Sequence, residues 1–323
     1  MKKYLTSPLT SSILALLLSS SLITGCQRLD AQENITKKAI VTLGASTGQL
    51  IDQGHTRTYY IYTPKSYKPD HPMPLVLVFH GDNGTGHSIS DVTQFNNLAE
   101  QKGFIAVYPD GINQRWTLRG NPSGKKVNDV EFTDALINHI EQIRNIDSSK
   151  VYASGFSRGA ILTQALACEL PNKIAAFASV AGSLPVRLKS KCQPNNSASI
   201  LMINGTNDTA VHYEGDEQTA KGALLSIPDA VTHWREQDKC TSPAQIKQIS
   251  GPNKNDRYYV KTTRYANCSG GSEVLLTDVI QGGHSWPGGA SQDPNQIKFN
   301  NAIGYNASNT IWDFFSHHSL TGN

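Results

Sequence analysis

A serine between two glycines is the feature of this chain with the clearest chemical meaning. The segment Gly155-Phe156-Ser157-Arg158-Gly159 reads G-x-S-x-G, and it lies between the strand-like Val151-Tyr152-Ala153 and a helical stretch over residues 160–167. A serine at a sharp turn from a strand into a helix is exposed to substrate, and the helix N-terminus beneath it favours developing negative charge. The pentapeptide alone is a common chance match, so the flanking strand and helix are what make Ser157 a candidate nucleophile.

The same chemistry requires a base and a carboxylate elsewhere in the chain. A serine hydroxyl is a poor nucleophile until a histidine takes its proton, and the histidine must itself be oriented. Where a G-x-S-x-G turn is used, the order along the chain is Ser, then Asp or Glu, then His. Asp208 follows an apolar run that ends at Ile203, and His284 follows the last apolar run, after two glycines. We therefore predict a triad of Ser157, Asp208 and His284.

Competing residues exist for both the base and the acid. His212 shares a loop with Asp208, whereas a base is expected at the end of the next strand, and Asp278 falls inside a predicted strand that limits its reach. His233, His317 and His318 lie in helical stretches. The alternatives to the base are His212, His233, His317 and His318, and the alternatives to the acid are Asp216 and Asp278.

An attacked carbonyl also needs two backbone N–H groups to hold its oxyanion. One should belong to Arg158, directly after the nucleophile, and we place the other at Asp82, in the loop that follows an early apolar strand. That loop, over residues 80–86, is rich in glycine. The alternative is a phosphate cradle, but the loop lacks the G-K-[ST] ending of one.

Three aromatic residues are candidates for contact with substrate. Trp116 and Trp286 could line an apolar or aromatic acyl pocket, because aromatic side chains give large contact areas in such sites. Core packing is the alternative for either tryptophan, and the sequence leaves both open. Tyr213 is the third candidate contact.

These residues need a scaffold, and the apolar pattern indicates one. Short apolar runs, such as residues 75–79 and 200–203, alternate with stretches of helical spacing, such as residues 130–143. This alternation predicts an α/β fold with a mostly parallel central sheet flanked by helices. In such sheets the active site lies beyond the carboxyl ends of the strands, where each site candidate is found.

Composition and residue spacing indicate one large domain and give no signal for nucleic-acid, metal or cofactor binding. The chain has 323 residues, 38% of them hydrophobic, which suits one large domain that we assign to residues 46–323. A formal charge of +3 with no long basic run gives no reason to expect a nucleic-acid partner. No spacing of cysteines or histidines indicates a metal site, and we expect no metal and no organic cofactor.

The N-terminus has the pattern of an export signal. Two lysines precede an apolar stretch that runs to Ile23, as in a secretory signal peptide, and the segment ends in Leu22-Ile23-Thr24-Gly25-Cys26. This ending resembles a lipobox, in which Cys26 would be lipidated and become the first mature residue; an ordinary cleaved signal is the alternative. We assign residues 1–26 to the signal and 27–45 to a polar tether, so that the only contact with a membrane would be through the lipid anchor.

The other four cysteines form an even set, which in an exported protein indicates two disulfides. Sequence order favours Cys168–Cys192 and Cys240–Cys268. Free buried thiols are the alternative.

Several segments together resemble a known family. The chain is similar, from about Arg57 to about His317, to the secreted esterases that group bacterial polyhydroxybutyrate depolymerase-like lipoproteins with feruloyl and acetylxylan esterases. The segments that carry the resemblance are Phe79-His80-Gly81, residues 151–160, residues 166–171, residues 180–184, residues 204–208 with Tyr213-Glu214-Gly215, and Gly282-Gly283-His284-Ser285-Trp286-Pro287-Gly288-Gly289.

The resemblance implies an α/β-hydrolase fold, hydrolysis of carboxylic esters, the same triad and the same two disulfides. It implies a polyhydroxybutyrate depolymerase-like esterase that acts on hydroxyalkanoate oligomers, with feruloylated and acetylated plant polysaccharide fragments as the alternative substrates. With the lipobox it implies a place in the bacterial envelope, including the outer membrane, or outside the cell. The chain departs from the family at Asp82, where a cysteine is frequent, and at His212, where proline is usual. An acyltransferase on the same fold and a binding protein without catalysis are the rival functions.

Overall fold

Ten strands form one sheet in the part of the chain that the structure describes. The structure is a computed structural model that describes residues 41–118, 127–192, 197–217, 222–250, 259–291, 296, 299 and 304–320. The proposed signal peptide with Cys26 and the tether up to residue 40 lie outside these residues. The strands are β1 (Gly44–Asp52), β2 (His55–Thr63), β3 (Met73–Phe79), β4 (Ile105–Pro109), β5 (Ile146–Phe156), β6 (Ala176–Val180), β7 (Ser199–Gly205), β8 (Gln245–Ser250), β9 (Tyr259–Tyr265) and β10 (Val274–Val279).

Several helices of the described residues begin at a side chain that caps them. The α-helices are α1 (Gly86–Thr93), α2 (Phe95–Lys102), α3 (Asp129–Ile143), α4 (Arg158–Glu169), α5 (Val186–Lys189), α6 (Ile227–Gln237) and α7 (Ala307–Ser316). Asn128, Ser226 and Asn306 each accept a hydrogen bond from a backbone N–H in the first turn of α3, α6 and α7. Such caps satisfy donors that the helix itself leaves unpaired.

The strand order along the sheet is β1-β2-β4-β3-β5-β6-β7-β10-β9-β8. The six neighbouring strands from β4 to β10 pair in parallel. Antiparallel pairs extend the sheet at both sides, through β2 and β1 and through β9 and β8. The predicted α/β class with a mostly parallel central sheet is therefore confirmed.

The parallel strands are buried because helices cover both faces of the sheet. Successive residues of a strand point to opposite faces, and in β3 Leu75 and Leu77 join one apolar cluster while Val76 and Val78 join the other. The first cluster includes side chains of α3, α4 and α6, and the second those of α1, α2 and α7. This explains why the strands read as continuous apolar runs.

Both predicted disulfides are present, Cys168–Cys192 and Cys240–Cys268. The first ties the end of α4 to the segment after α5, and the second ties the loop after α6 to the loop after β9. Disulfides persist in oxidising compartments, so both are consistent with an exported protein. Within the described residues, no helix is long and apolar enough to cross a bilayer.

Candidate active site

Ser157 occupies a strained turn between β5 and α4. Its backbone has φ 55° and ψ −116°, a conformation that residues other than glycine rarely adopt. The turn is held on both sides: the Ser157 N–H donates to the Val180 carbonyl at 3.0 Å, and its carbonyl accepts from the Ile161 N–H at 3.0 Å. Such strain persists only where the surroundings enforce it, and it is typical of functional sites. The elbow that the sequence predicts is thus formed.

The two glycines of the motif are required by close approach of backbones. A Cβ atom at Gly155 would lie 2.3 Å from the Gly159 carbonyl oxygen, and a Cβ atom at Gly159 would lie 2.2 Å from the Phe79 carbonyl oxygen. Both distances are far inside van der Waals contact. The glycines therefore let α4 start directly against β5 and against the end of β3, which brings the loop after β3 beside the serine.

His284 and Asp208 form a hydrogen-bonded pair near this turn. The Nδ1 atom of His284 lies 2.8 Å from Oδ2 of Asp208, and the Asp208 side chain is buried. The ring of His284 contacts the ring of Phe156, the residue before Ser157, with 4.9 Å between ring centroids. With Nδ1 directed to Asp208, Nε2 is the ring nitrogen left for another partner. The structure thus brings the predicted base and acid together, with the ring of the predicted base against Phe156, the residue before the predicted nucleophile.

The loops that carry these two residues are joined by backbone contacts. Asp208 follows β7 and His284 follows β10, and these strands are parallel neighbours. The Asn207 N–H donates to the Gly282 carbonyl at 2.8 Å, and a Cβ atom at Gly205 would lie 2.3 Å from that same oxygen. The pair is therefore fixed by the sheet topology and by a tight loop contact, although 76 residues separate its members.

The surroundings of Asp208 keep its carboxylate charged. Burial alone would raise the pKa of Asp208, but the hydrogen bond and charge of His284 and the backbone N–H groups of Ala210 and Val211 together hold it below its ordinary value. Those N–H groups lie 2.8 Å and 2.9 Å from Oδ1. A carboxylate that stays ionised at neutral pH can orient His284 and stabilise its protonated form.

The loop after β3 lies against the nucleophile. A Cβ atom at Gly81 would lie 3.3 Å from Cβ of Ser157, so the chain passes the serine closely here. The buried His80 ring orders this loop: its Nε2 accepts from the Gly111 N–H at 3.0 Å, so Nδ1 carries the hydrogen and donates to the Gly81 carbonyl at 2.6 Å. Burial lowers the pKa of His80, in keeping with the neutral ring that this pattern requires. The two predicted oxyanion donors, Asp82 and Arg158, thus sit on segments that both adjoin Ser157.

The rival histidines are placed elsewhere or differently. His212 forms its own pair, with Nδ1 2.6 Å from Oδ1 of Asp216, and its ring is more than half exposed. His233 is buried in α6, and His317 and His318 end α7. Asp278 lies within β10, where it accepts from the Tyr213 hydroxyl at 2.6 Å and pairs with Lys261 at 3.2 Å.

The candidate substrate contacts are engaged inside the protein. Trp116 and Trp286 are only 2% and 3% exposed, and their indole N–H groups donate to the His80 carbonyl and the Ser308 hydroxyl. These are the contacts of core residues, the alternative that the sequence left open for both. Burial raises the pKa of the Tyr213 hydroxyl well above its ordinary value, and the hydrogen bond that this hydroxyl donates to the buried Asp278 raises it further. Contact of these three with substrate stays a prediction.

Two features of the site were not foreseen from sequence. Phe156 occupies an unspecified position of the G-x-S-x-G motif, yet its ring contacts the base. His80 orders the loop after β3, for which the motif Phe79-His80-Gly81 was the available signal. Across the described residues, no group of three or more His, Cys, Asp or Glu side chains is arranged to hold a metal ion.

Comparison with known proteins assigns the chain to a family. Residues 66–234, just over half of the chain, match the phospholipase/carboxylesterase family. Over 84% of its length the chain is 29% identical to a bifunctional acetylxylan esterase/xylanase of Neocallimastix patriciarum, and over 71% it is 28% identical to feruloyl esterase B of Piromyces equi. The chain spans only 35% and 42% of those two proteins.

Solved structures show the same fold. The acetyl xylan esterase from Aspergillus awamori superimposes with a TM-score of 0.54 at 18% identity, over 80% of this chain and 100% of that one. The feruloyl esterase module from Clostridium thermocellum gives a TM-score of 0.52 at 14% identity, over 81% of this chain and 87% of the module. Because the family match covers more than half of its residues, the chain belongs to the phospholipase/carboxylesterase family of α/β-hydrolases.

Proposed function

We propose that this protein hydrolyses carboxylic esters through an acyl-enzyme formed on Ser157, with His284 as base and Asp208 as the residue that orients it. The observation that carries the proposal is the His284–Asp208 hydrogen bond of 2.8 Å, made by a ring that also contacts Phe156 beside the serine. Family membership supports the reaction class, and the strained turn at Ser157 supports the choice of nucleophile.

The first half of the reaction makes the acyl-enzyme. Oγ of Ser157 attacks the ester carbonyl carbon while its proton passes to Nε2 of His284, and the carbonyl oxygen becomes an oxyanion facing the N–H groups of Asp82 and Arg158. Asp208 keeps Nδ1 of the ring protonated and stabilises the charged imidazole. Collapse of the tetrahedral intermediate breaks the bond to the alcohol, which leaves with the proton from His284.

The second half repeats these steps with water. Nε2 of His284 takes a proton from water, the hydroxide attacks the acyl carbon, and the second intermediate expels Ser157, which recovers its proton from His284. The products are a carboxylic acid and an alcohol, and the enzyme is unchanged. An acyltransferase would differ only in the second half, where a sugar or lipid hydroxyl replaces water. Product analysis with and without added alcohol acceptors separates the two.

For the substrate we propose feruloyl or acetyl esters of plant polysaccharide fragments. The names of the relatives support this class, since two of them are an acetylxylan esterase and a feruloyl esterase. Oligomers of 3-hydroxybutyrate are the second candidate, supported by the motifs shared with the depolymerase-like lipoproteins. Both are small soluble esters, in contrast with long-chain triacylglycerols.

The substrate proposal is tested by comparing kcat/KM on methyl ferulate, acetylated xylo-oligosaccharides, 3-hydroxybutyrate trimer and a long-chain triacylglycerol. We expect the first two to be cleaved fastest and the triacylglycerol slowest, with Ser157→Ala as the control for contaminating esterases. A clear preference for the triacylglycerol would make the protein a lipase and contradict the proposed substrate class.

We also propose that the protein is exported and anchored by lipid on Cys26. The segment Leu22–Cys26 supports the anchor, and the two disulfides support an oxidising compartment. Mass spectrometry of the mature N-terminus should find diacylglyceryl-modified Cys26, and Cys26→Ser should leave the protein soluble or as uncleaved precursor. A mature N-terminus that begins after residue 26 without lipid would refute the anchor.

A further inference from the structure

An ion pair joins the two residues whose backbone N–H groups are the proposed oxyanion donors. Nε of Arg158 lies 2.6 Å from Oδ1 of Asp82, and the two side chains are 18% and 26% exposed. The two contacting atoms are themselves inaccessible to solvent. A pair with buried contact atoms is screened less by water and salt than one on the open surface.

The pair spans two chain segments that meet at the nucleophile. Arg158 follows Ser157 directly and begins α4, so its N–H is fixed by the elbow and the helix. Asp82 lies on the loop after β3, one residue beyond Gly81, which packs against the serine side chain. The two segments are 76 positions apart in sequence, and the ion pair closes the gap between them at this point.

Other contacts fix the direction of the Asp82 N–H and hold the residues on either side of it, since Gly81 lies against Ser157 and the Asn83 N–H donates to the Gln114 carbonyl at 3.0 Å. His80 and the Gly84 N–H both donate to the Gly81 carbonyl, at 2.6 Å and 3.1 Å. In a trans peptide the N–H of one residue points opposite to the carbonyl of the residue before it, so holding that carbonyl orients the Asp82 N–H. The Asp82–Arg158 contact adds a direct link, since it ties the Asp82 side chain to the segment that carries the second donor.

We infer that Asp82 and Arg158 are a positioning pair that sets the separation of the two oxyanion donors and balances the charge beside the oxyanion. This inference rests on the proposed function. Preorganised donors act because they do not have to move when charge develops, so a loosened loop should slow the chemical step more than substrate binding. The charges also matter: without Arg158, the Asp82 carboxylate would stand uncompensated near a developing negative charge.

The inference predicts unequal effects for the two single substitutions. Arg158→Gln removes the cation and leaves the anion, so kcat should fall by about 30- to 100-fold, less than complete loss of an oxyanion donor causes. Asp82→Asn loosens the loop but leaves a favourable cation, and kcat should fall by about tenfold. The double variant should be no slower than Arg158→Gln alone, because both substitutions remove one interaction. KM should change by less than about twofold in each.

The experiment measures kcat, KM, inhibition by a trifluoromethyl ketone transition-state analogue and the rate of fluorophosphonate labelling of Ser157 in these variants. The matched control is Lys173→Gln, which breaks an ion pair of the same 2.6 Å length with Asp134 on the surface. Thermal melting identifies any variant that is merely unfolded, and Arg158→Lys, which keeps the charge, should recover at least half of the lost kcat on a logarithmic scale.

We expect affinity for the ketone and the labelling rate to fall in parallel with kcat in Arg158→Gln, and all three to be unchanged in Lys173→Gln. A kcat within twofold of wild type in a folded Arg158→Gln variant, or a loss confined to KM, would overturn the positioning role while leaving the proposed function intact. Absence of labelling and of ester cleavage in the wild type would instead overturn the proposed function, and this inference with it.

Discussion

Two Asp–His pairs lie at the same edge of the sheet, and they differ in their relation to Ser157, the proposed nucleophile. In Asp208–His284 the partners come from neighbouring strand ends, and the imidazole is 21% exposed and contacts the Phe156 ring at a tilt of 37°. In Asp216–His212 the partners are four residues apart on one loop, and the imidazole is 57% exposed. Each pair has a buried carboxylate within 2.8 Å of Nδ1.

The comparison separates two requirements of a catalytic base. Orientation by a carboxylate is a local property that a single loop provides, as Asp216 and His212 demonstrate. Proximity to the proposed nucleophile is a property of the topology, because among the described residues it is the loop after β10 that brings an imidazole against Phe156, the residue before Ser157. An Asp–His hydrogen bond therefore does not identify a base without its relation to the serine.

Removing each imidazole in turn tests which of the two histidines is the base. We expect His284→Ala to lower kcat/KM for ester hydrolysis by about 10⁵-fold, because the members of a triad act as one unit. His212→Ala should stay within about threefold of wild type, since that ring orders only its own loop. Steady-state kinetics on methyl ferulate or another cleaved ester measures both. The opposite ranking would make His212 the base.

Removing the charge of each carboxylate in turn should also lower kcat unequally, by a smaller factor than removal of the imidazoles. Asp208→Asn removes the charge that orients and stabilises the imidazole, so kcat should fall by about 10⁴-fold. Asp216→Asn keeps the shape of the side chain next to His212 and should change kcat by less than about threefold. Circular dichroism of both variants provides the control for folding. Equal losses in the two variants would show that the pairs are not distinguished by position.

A third buried carboxylate, that of Asp238, should affect the pH dependence of folding stability in the opposite sense to Asp208. Asp238 receives hydrogen bonds from the Ala198 N–H and the Ser272 hydroxyl, and burial raises its pKa to about 7, whereas the pKa of Asp208 is lowered. A raised pKa means that the folded state keeps a proton which the unfolded state loses near pH 4, so stability falls from about pH 4 to pH 7. The Asp208 contribution runs the other way: it is present above about pH 4 and lost below it.

The Asp238→Asn variant tests this sign. It should flatten the decline in unfolding free energy between pH 4 and pH 7, a term of at most about 4 kcal/mol for a pKa raised by three units. Denaturant unfolding at several pH values measures the effect, with Asp134→Asn on the surface as the control. An unchanged slope in Asp238→Asn would place the carboxyl in a far more solvated setting than the structure gives it.

The central sheet and the strained turn at Ser157 were predictable because their signals are local. Continuous apolar runs mark β3, β6 and β7 as strands buried on both faces, and the glycines of the elbow mark a close backbone crossing. The outer strands β1, β8 and β9 escaped prediction, since β1 alternates intermediate and exposed positions and has few apolar residues. Antiparallel strands at the side of a sheet face water and need no apolar run.

Contacts between distant segments could not be predicted from local patterns. The ion pair of Asp82 with Arg158 and the ring contact of Phe156 with His284 each depend on how loops from different strands meet. The two tryptophans illustrate the same limit: Trp116 and Trp286 stand beside site motifs in the sequence, yet their rings turn into the core. Neighbourhood along the chain gives the position of a residue but not the direction of its side chain.

The most direct test of the account is to map the site of fluorophosphonate attachment by peptide mass spectrometry. The wild type and His212→Ala should both be labelled rapidly and at Ser157 alone, while His284→Ala should be labelled at least about 10²-fold more slowly, because its serine lacks a base. Melting temperatures within a few degrees of wild type would establish that all three proteins are folded. Rapid labelling of Ser157 in His284→Ala but not in His212→Ala, or attachment at another residue, would contradict the account.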